Sequence, residues 1–281
     1  MPNIAEHQSN KVVKLLLLGD PKSAKTGSLV SLVPHYKLRI LDMDNLLDAL
    51  KNNIMRECPD FAGNVEFRTL RDKRRMTPAG PVIDGPPRAF IDAIKMLDHW
   101  QYDDVDLGRP SDWGPDCILV IDSLSRLCDA AFDWREPLTP RGKSGDYDKR
   151  ATYFNAQDAI ENVLAGITAS SYNTNVIVIC HGLYMDLPNG QTKLFPQGVG
   201  QKLSPKIPQY FPNYIRYFNQ GGNRLIQLKS DSIIDLAVAK QLPQEVLPVS
   251  TGLLTLFEAL RESPPAARPE RPQSLTLRKR I

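Results

Sequence analysis

The hydrophobic residues of this chain fall in short, nearly unbroken runs, and each run ends at a glycine or a polar residue. Runs without regular polar alternation are typical of parallel strands that are buried on both faces. The runs and the residues that follow them are 12–18 with Gly19, 38–41 with Asp42 and Asp44, 117–121 with Asp122, and 176–180 with His181. Because the carboxyl ends of parallel strands meet at one edge of a sheet, we expect these end residues to lie close together. The pattern therefore predicts an α/β fold with a mostly parallel sheet flanked by helices.

Segments with other spacing separate these runs. Residues 88–100 carry apolar side chains at helical intervals and predict an amphipathic helix that packs on the sheet. Further predicted elements are helices from Lys25 to before Pro34 and over 45–53, 153–170 and 251–260, and a β-hairpin of 214–218 with 224–229. The stretches rich in proline, glycine and charge, which predict irregular structure, are 65–87, 134–152 and 182–210. We expect the last two to be mobile loops, and the basic first one to be either a solvated hairpin or a subunit contact.

The composition fits one large domain with two short tails. The chain has 281 residues, 42% of them hydrophobic, and its 35 basic and 32 acidic side chains leave a net charge of +3. The overall charge therefore says little about partners, and any nucleic-acid surface must be local. The cysteines show no C-x-x-C spacing, and no apolar stretch approaches the roughly 20 residues that span a bilayer. We expect a cytoplasmic protein without a membrane partner, with a polar arm over 1–10, a folded domain over 11–262 and a disordered Pro/Arg-rich tail over 263–281.

Directly after the first run, residues 19–28 read Gly-Asp-Pro-Lys-Ser-Ala-Lys-Thr-Gly-Ser. This order is typical of a phosphate-binding P-loop, in which a sharp turn points backbone N–H groups at a β-phosphate. Lys25 would reach the β and γ oxygens, and Thr26 would offer its hydroxyl to Mg²⁺. Ala24 replaces the usual second glycine, which is acceptable only if this residue has a negative φ. The predicted nucleotide-binding residues are Gly19, Asp20, Pro21, Lys22, Ser23, Ala24, Lys25, Thr26 and Gly27.

The other strand ends favour this interpretation over an ordinary surface turn rich in lysine, serine and glycine. Asp122 is placed to hold Mg²⁺ directly or through water, so the predicted metal ligands are Thr26 and Asp122. A lone histidine at a strand end, such as His181, is more often structural than functional. Here, however, several polar strand ends converge on one edge. We therefore predict that a nucleotide and Mg²⁺ bind there and that the chain is an NTPase; the resemblance described next implies that the nucleotide is ATP.

In the order of its strands and motifs, the chain over roughly 11–262 resembles the RecA-like ATPases. Residues 41–48 resemble the RecA segment that carries the catalytic glutamate, with Asp44 at the place of the glutamate. The strand that ends at Asp122 resembles the Walker B strand, and His181 stands where RecA has a glutamine that senses the γ-phosphate. The resemblance implies a RecA-like P-loop core with a C-terminal β-hairpin and helix, and the catalytic residues that it implies are Lys25, Asp44 and His181. Because aspartate is one methylene shorter than glutamate, we expect slow turnover.

Within that family, the chain is similar to phage-encoded proteins that act in single-strand annealing or recombination. The likeness lies in residues 200–208, the hairpin and a short Thr-Gly-Leu helix, which follow the histidine strand in the same order. It implies single-stranded DNA as a partner, a homo-oligomeric ring or filament, a single-strand-binding or replication protein as another partner, and the host cytoplasm as location. By the same analogy, Arg224 or Lys229 of a neighbouring subunit would complete the ATP site.

The two predicted loops combine cations with aromatic residues. This suits single-stranded DNA, because cations follow the phosphates while aromatic faces stack bases. The candidate DNA-binding residues are Lys143, Lys149, Arg150, Lys193, Phe195, Lys202 and Lys206. Basic loops of this kind are also often merely solvated. Two other functions stay open at this stage: an ATP-dependent switch or scaffold with a protein partner and little turnover, and a small-molecule kinase.

Overall fold

The computed structural model describes residues 11–141, 145, 147–240 and 242–261, so the arm over 1–10, Lys143 and the tail over 263–281 lie outside the described residues. The strands are β1 (Lys14–Gly19), β2 (Lys37–Asp42), β3 (Val65–Thr69), β4 (Arg74–Thr77), β5 (Gly80–Ile83), β6 (Gln101–Tyr102), β7 (Val105–Asp106), β8 (Gly114–Asp122), β9 (Thr174–Asp186), β10 (Thr192–Pro196), β11 (Asn213–Gln220), β12 (Asn223–Gln227) and β13 (Val246–Pro248). The α-helices are α1 (Asp48–Glu57), α2 (Ala89–Asp98), α3 (Leu124–Arg135), α4 (Lys149–Thr168), α5 (Gly200–Leu203) and α6 (Val249–Leu260). Short 3₁₀ helices are Gly27–Leu32, Pro59–Asn64, Pro110–Asp112, Glu136–Leu138 and Ser204–Tyr210. Within the described ranges, no helix combines the length and the apolar character that crossing a membrane requires.

One large sheet forms the centre of the described chain. Its strand order is β13-β12-β11-β1-β9-β8-β2-β3, and β10 pairs with the outer part of β9. From β11 to β3 all neighbouring strands are parallel, whereas β10, β12 and β13 are antiparallel to their partners. Helices cover both faces. The fold is therefore of the predicted α/β class, and the predicted hairpin of β11 with β12 and the C-terminal helix α6 are present.

The sheet is covered on both faces, which explains why β1 is hydrophobic at successive positions. Leu16 and Leu18 pack into a core with α2, α3 and α4, while Leu15 and Leu17 pack into a second core on the opposite face. The second core is closed by α1, α6 and the 3₁₀ helix Gly27–Leu32. All four leucines are fully buried, and each contributes roughly 1.5–3 kcal/mol through burial. This packing fixes the strand that leads into the P-loop.

The register of the parallel strands brings the predicted end residues to one edge. Gly19 of β1 lies beside His181 of β9, and Asp42 of β2 lies beside Asp122 of β8. Since β9 lies between β1 and β8, the histidine strand separates the P-loop strand from the Asp122 strand. The expectation that these residues lie close together is confirmed.

The segment after the P-loop is a 3₁₀ helix, Gly27–Leu32, whereas the sequence predicted a helix that begins near Lys25. Two serines account for the difference. The hydroxyl of Ser28 donates to the carbonyl of Lys25, and the hydroxyl of Ser31 donates to the carbonyl of Ser28. Side chains thus compete for carbonyls in a segment of only six residues. Because the helix dipole of so short a segment is small, the loop N–H groups and Lys25 must supply most of the attraction for an anion.

The stretch over 182–210 is regular structure, so the prediction of a mobile loop there is wrong. β9 continues to Asp186 and forms an antiparallel hairpin with β10, and α5 and the 3₁₀ helix Ser204–Tyr210 follow. The prolines and glycines of this stretch predicted irregular structure, although it contains a strand in which Leu194 is buried. Gly190, with a φ of 80°, allows the turn of the hairpin.

The other predicted loop is shorter than expected, because α4 begins at Lys149 instead of Tyr153. Asp148 caps this helix by accepting hydrogen bonds from the backbone N–H groups of Arg150 and Ala151. Lys149 and Arg150 therefore lie on the first turn of a helix and not in a loop. The helix begins earlier than predicted because Asp148 caps it, and the sequence prediction did not include this cap.

The basic stretch over 65–87 forms an edge strand of the sheet, β3, and a separate hairpin of β4 with β5. A hairpin was one of the two predicted alternatives. Three arginines of the stretch over 65–87 pair with acidic residues: Arg68 with Asp103, Arg74 with Asp133, and Arg75 with Asp84. Much of the positive charge in this cluster is therefore balanced within the chain.

Candidate nucleotide-binding site

The P-loop begins in close contact with β11. A Cβ atom on Gly19 would lie 2.5 Å from the carbonyl oxygen of Tyr217, so only glycine fits there. The loop then contains two left-handed residues, Lys22 with a φ of 65° and Ala24 with a φ of 72°. The expected negative φ at Ala24 is wrong: the turn keeps the conformation that a glycine would adopt, although alanine occupies it. This conformation costs a residue with a Cβ atom roughly 1–2 kcal/mol, which contacts elsewhere must offset.

Lys25 is held inside this loop. It is only 5% exposed, and its Nζ donates to the carbonyls of Gly19 at 2.7 Å and Asp20 at 2.9 Å. Burial lowers the pKa of Lys25, and the negative charges of Asp122 and Asp44 oppose this effect. A phosphate would give the ammonium an anionic partner in place of neutral carbonyls, which favours the charged lysine. The loop therefore suits a phosphate chain.

Thr26 and Asp122 face each other across the loop. The hydroxyl of Thr26 donates to Oδ2 of Asp122 at 2.6 Å. Burial raises the pKa of Asp122 to about 6, and the negative charges of Asp44 and Asp42 add to this rise, while the bond from Thr26 reduces it. A divalent cation would remove the electrostatic cost of this buried carboxylate. A hydroxyl and a carboxylate are oxygen donors of the kind that Mg²⁺ prefers, so these two residues fit the ion.

Asp44 lies in the loop after β2, two residues beyond the end of the strand. Its side chain is 9% exposed and lies between Arg126 and His181: Oδ1 is 3.4 Å from Nε of Arg126, and Oδ2 is 3.5 Å from Nε2 of His181. Burial would raise the pKa of Asp44, but hydrogen bonds from His181 and Ser123 outweigh it. The charge of Arg126 acts in the same direction, so the pKa is lower than usual. A carboxylate of low pKa is a weak base, so Asp44 suits the orientation of a water molecule better than its deprotonation.

His181 ends the hydrophobic part of β9 and connects the site to the hairpin. Its backbone N–H donates to Oγ of Ser125 at 3.1 Å, and its carbonyl accepts from the N–H of Gln197 at 2.9 Å. Its side chain is partly exposed and contacts Asp44, and its Nδ1 makes no hydrogen bond within the described residues. His181 therefore touches the predicted catalytic carboxylate on one side and the segment before α5 on the other.

The structure adds residues to this site that the sequence reading missed. Arg126 contacts Asp44, as given above. The hydroxyl of Tyr217 is 2.9 Å from the hydroxyl of Ser28, so β11 braces the segment after the P-loop. In the sequence, Arg126 is indicated by its position alone. It follows the strand that ends at Asp122 by one helical turn, so it must lie near the same edge of the sheet.

The candidate DNA-binding residues divide into two groups. Lys149 and Arg150 are exposed on the first turn of α4, and Lys202 is exposed on α5. These elements touch each other, since the Tyr153 ring lies against Gly200: a Cβ atom on this glycine would be 3.4 Å from the ring. The structure thus places the two elements that carry the first group in contact with each other.

The second group is engaged within the chain. Lys193 forms an ion pair with Asp235, and Lys206 forms one with Glu161 at 2.8 Å. Phe195 is half-buried on β10, where it pairs with Leu183. The sequence reading overlooked a more accessible aromatic residue, because Phe154, on α4 beside the first group, is 70% exposed.

The residues predicted to act on a neighbouring subunit lie on or next to β12. Arg224 is exposed and pairs with Asn219 across the hairpin. Lys229 forms an ion pair with Glu245. Both cations are exposed, and Lys229 has an acidic partner within its own chain.

A comparison with protein-family models and a search of curated proteins found no match to this chain. Among solved structures, the fold is similar to that of the flagellar accessory protein FlaH from Methanocaldococcus jannaschii. The two chains are 10% identical, the match covers 84% of each, and the TM-score is 0.40. At this level the similarity concerns the general arrangement of the fold alone.

Proposed function

We propose that this chain binds ATP with Mg²⁺ and hydrolyses it. The observation that carries the proposal is the convergence of four side chains at the carboxyl edge of the parallel sheet: Lys25, Thr26, Asp122 and Asp44. Each has the chemistry that a step of phosphoryl transfer requires, and three of them are nearly buried. Phosphoryl transfer needs positioning and charge stabilisation more than covalent chemistry, and this set supplies both.

In the proposed mechanism, Lys25 exchanges the carbonyls of Gly19 and Asp20 for oxygens of the β and γ phosphates. Thr26 and Asp122 would hold Mg²⁺, which would balance the charge of the phosphates. Asp44 accepts a hydrogen bond from the attacking water and orients it. Its low pKa keeps it ionised at neutral pH, at the expense of basicity.

Replacement of Lys25 tests the proposal directly. The variant Lys25→Met should lose binding of a fluorescent ATP analogue and lose ATP turnover, because the buried ammonium is the cation that contacts the loop carbonyls. Lys51→Met is a matched control, since Lys51 is exposed on α1. Equal affinity of the Lys25→Met variant and the parent for the analogue would show that the loop is not a phosphate site.

We further propose that single-stranded DNA binds to a basic aromatic surface, which we define as Lys149, Arg150, Tyr153, Phe154 and Lys202. Support comes from exposure: the three cations are accessible, and Phe154 presents a face on which a base could stack. Lys193 and Lys206 are left out of this surface because acidic residues pair with them. Activity in annealing or recombination, as a ring or filament, with a single-strand-binding or replication protein as a partner, is part of the same proposal.

A short series of contacts leads from the ATP site towards the basic aromatic surface. His181 contacts Asp44 through its ring and bonds Gln197 through its carbonyl, and Gln157 of α4 donates to the carbonyl of Val199 at 2.7 Å. A change at the γ-phosphate can therefore reach α4 through few contacts. Turnover with and without single-stranded DNA tests the link. Stimulation supports it, whereas turnover that DNA leaves unchanged favours an ATP-dependent switch with a protein partner.

A further inference from the structure

Asp44 depends on other elements for its orientation. It lies between the end of β2 and the start of α1, in a loop where Asn45 has a left-handed φ of 57°. Its backbone carbonyl accepts from Arg71 at 3.2 Å. Its carboxylate is nearly buried, yet Oδ1 makes no hydrogen bond within the described residues. The side chain is therefore held by its contacts with Arg126 and His181 and by the hydrogen bond from Ser123.

Arg126 supplies one of these contacts from the first turn of α3. Its Nε is 3.4 Å from Oδ1 of Asp44, and its NH1 group donates to Oδ2 of Asp129 at 2.9 Å. The helix begins at the end of β8, where Ser123 caps it by accepting from the backbone N–H of Arg126 at 3.4 Å. The position of Arg126 is therefore tied to the strand that carries Asp122.

The contact balances a repulsion. Asp44 and Asp122 are both nearly buried at this edge of the sheet, where their negative charges repel each other. A guanidinium beside Asp44 offsets this repulsion and keeps the carboxylate charged while it faces the site. Two separate N–H groups let Arg126 contact Asp44 and Asp129 at once, whereas the single ammonium of a lysine could not hold both in the same geometry.

We propose that Arg126 is a positioning residue for Asp44 in ATP hydrolysis: its contact with Oδ1 holds the carboxylate in the orientation in which it accepts a hydrogen bond from the attacking water. The inference rests on the proposed ATPase function. Arg126 does not touch ATP in this scheme. It acts through Asp44, and Asp129 acts through Arg126.

Kinetics of four variants test the proposal. Arg126→Ala should lower kcat by about 10²-fold, the size of effect that follows from a small misplacement of a reacting group, with KM for ATP within about twofold of the parent. Arg126→Lys should recover only a minor part of kcat, and Asp129→Asn should give an intermediate kcat. Arg74→Ala is the matched control, because Arg74 also pairs with an aspartate of α3, Asp133, and should keep the kcat of the parent.

Chemical rescue separates positioning from loss of structure. Added guanidinium ion at low millimolar concentration should restore part of kcat in Arg126→Ala and none in Asp44→Asn. A parent-like kcat in Arg126→Ala would overturn the inference, and so would a raised KM with unchanged kcat, which would place Arg126 on ATP. If the parent binds the analogue but hydrolyses no ATP, the ATPase proposal is wrong. If the parent hydrolyses ATP and Arg126→Ala has the same kcat, only the role of Arg126 is wrong.

Discussion

The hydroxyl of Thr26 donates a hydrogen bond of 2.6 Å to the carboxylate of Asp122, although 96 residues separate them in the chain. Thr26 follows the P-loop lysine, and Asp122 ends β8, which is not a neighbour of β1 in the sheet. The bond therefore joins two elements across the strand between them. It also brings together the two oxygen donors that we assign to Mg²⁺.

Replacement of Thr26 should affect nucleotide binding only when Mg²⁺ is present. Thr26→Ala removes one proposed ligand and leaves the N–H groups and Lys25 in place, whereas Thr26→Ser keeps the hydroxyl. We expect Thr26→Ala to lose most of the Mg²⁺-dependent part of the affinity for an ATP analogue and Thr26→Ser to keep it. Titrations in Mg²⁺ and in EDTA measure the two parts. An equal loss in both solutions would mean that Thr26 contacts the phosphates instead of the ion.

Asp44→Asn should separate binding from chemistry. The amide has nearly the same size, but it lacks the charge that Arg126 and His181 contact. We expect ATP with Mg²⁺ to bind with an affinity close to that of the parent, because in the proposed mechanism Asp44 acts on water and not on the ground-state nucleotide. Single-turnover kinetics should show a large loss of the hydrolysis rate. A rate equal to that of the parent would place the water-orienting group elsewhere.

Ala24→Gly should stabilise the protein. Ala24 has a φ of 72°, so glycine would remove the cost of the left-handed conformation, roughly 1–2 kcal/mol. Glycine also raises the conformational entropy of the unfolded chain, which lowers the free energy of unfolding by about 0.4–1 kcal/mol. The net gain in free energy of unfolding should be about 0.5–1 kcal/mol, measured by urea denaturation. Ala62→Gly, in the exposed 3₁₀ helix Pro59–Asn64, should instead destabilise.

The basic aromatic surface predicts a specific salt dependence of DNA affinity. Lys149→Ala with Arg150→Ala should make the plot of log affinity against log salt shallower by about 0.7 for each phosphate that is no longer neutralised. Phe154→Ala should weaken binding by about 1–3 kcal/mol at every salt concentration, because stacking releases no counterions. Fluorescence anisotropy of a labelled oligonucleotide measures both effects.

The control for this experiment is the pair Lys193→Ala and Lys206→Ala. Because Asp235 and Glu161 already neutralise these lysines, their loss should change the salt dependence little. A larger effect of the control pair would return the DNA site to the β9–β10 hairpin and the segment that follows it. No binding in either nucleotide state would leave the ATP-dependent switch as the better account.

The strands and their meeting edge could be predicted because hydrophobic runs report burial on both faces. The runs that end at Gly19 and Asp122 are buried strands, and their ends lie where parallel pairing requires. The hairpin after His181 could not be predicted in the same way. Its strand character depends on β10 pairing with an extension of β9, and this tertiary contact outweighs the local proline and glycine.

Within the site, residues with a motif could be predicted and residues without one could not. Lys25 and Thr26 stand at fixed spacing, so their proximity to the sheet edge followed from the sequence. Arg126 has no motif, and its contact with Asp44 depends on how α3 leaves β8. The conformation of Ala24 was predicted incorrectly. The prediction used the preference of alanine for negative φ, whereas the geometry of the surrounding loop imposes a positive φ.

Burial of Asp122 should make the stability of the nucleotide-free protein fall as the pH rises through weakly acidic values. Its pKa is raised from 3.8 to about 6 in the folded chain, mainly by burial. Between these values the unfolded chain has already released the proton that the folded chain still holds, so the free energy of unfolding decreases as pH increases. Two pKa units correspond to a loss on the order of 3 kcal/mol, complete above about pH 6.

Asp122→Asn isolates this effect, because asparagine keeps the shape of the side chain and cannot ionise. Without nucleotide and Mg²⁺, the variant should be more stable than the parent at pH 7.5, and the difference should disappear near pH 3, below both pKa values, where Asp122 is neutral in both states. Asp104→Asn is the control, since Asp104 is exposed in the turn between β6 and β7. With ATP analogue and Mg²⁺ at pH 7.5, the order should reverse, because only the parent gains stability from binding the ion. Urea denaturation at both pH values, with and without ligand, measures all four differences. A variant that is less stable than the parent at pH 7.5 without ligand would show that the ionised carboxylate is stabilised within the fold and does not depend on a bound cation.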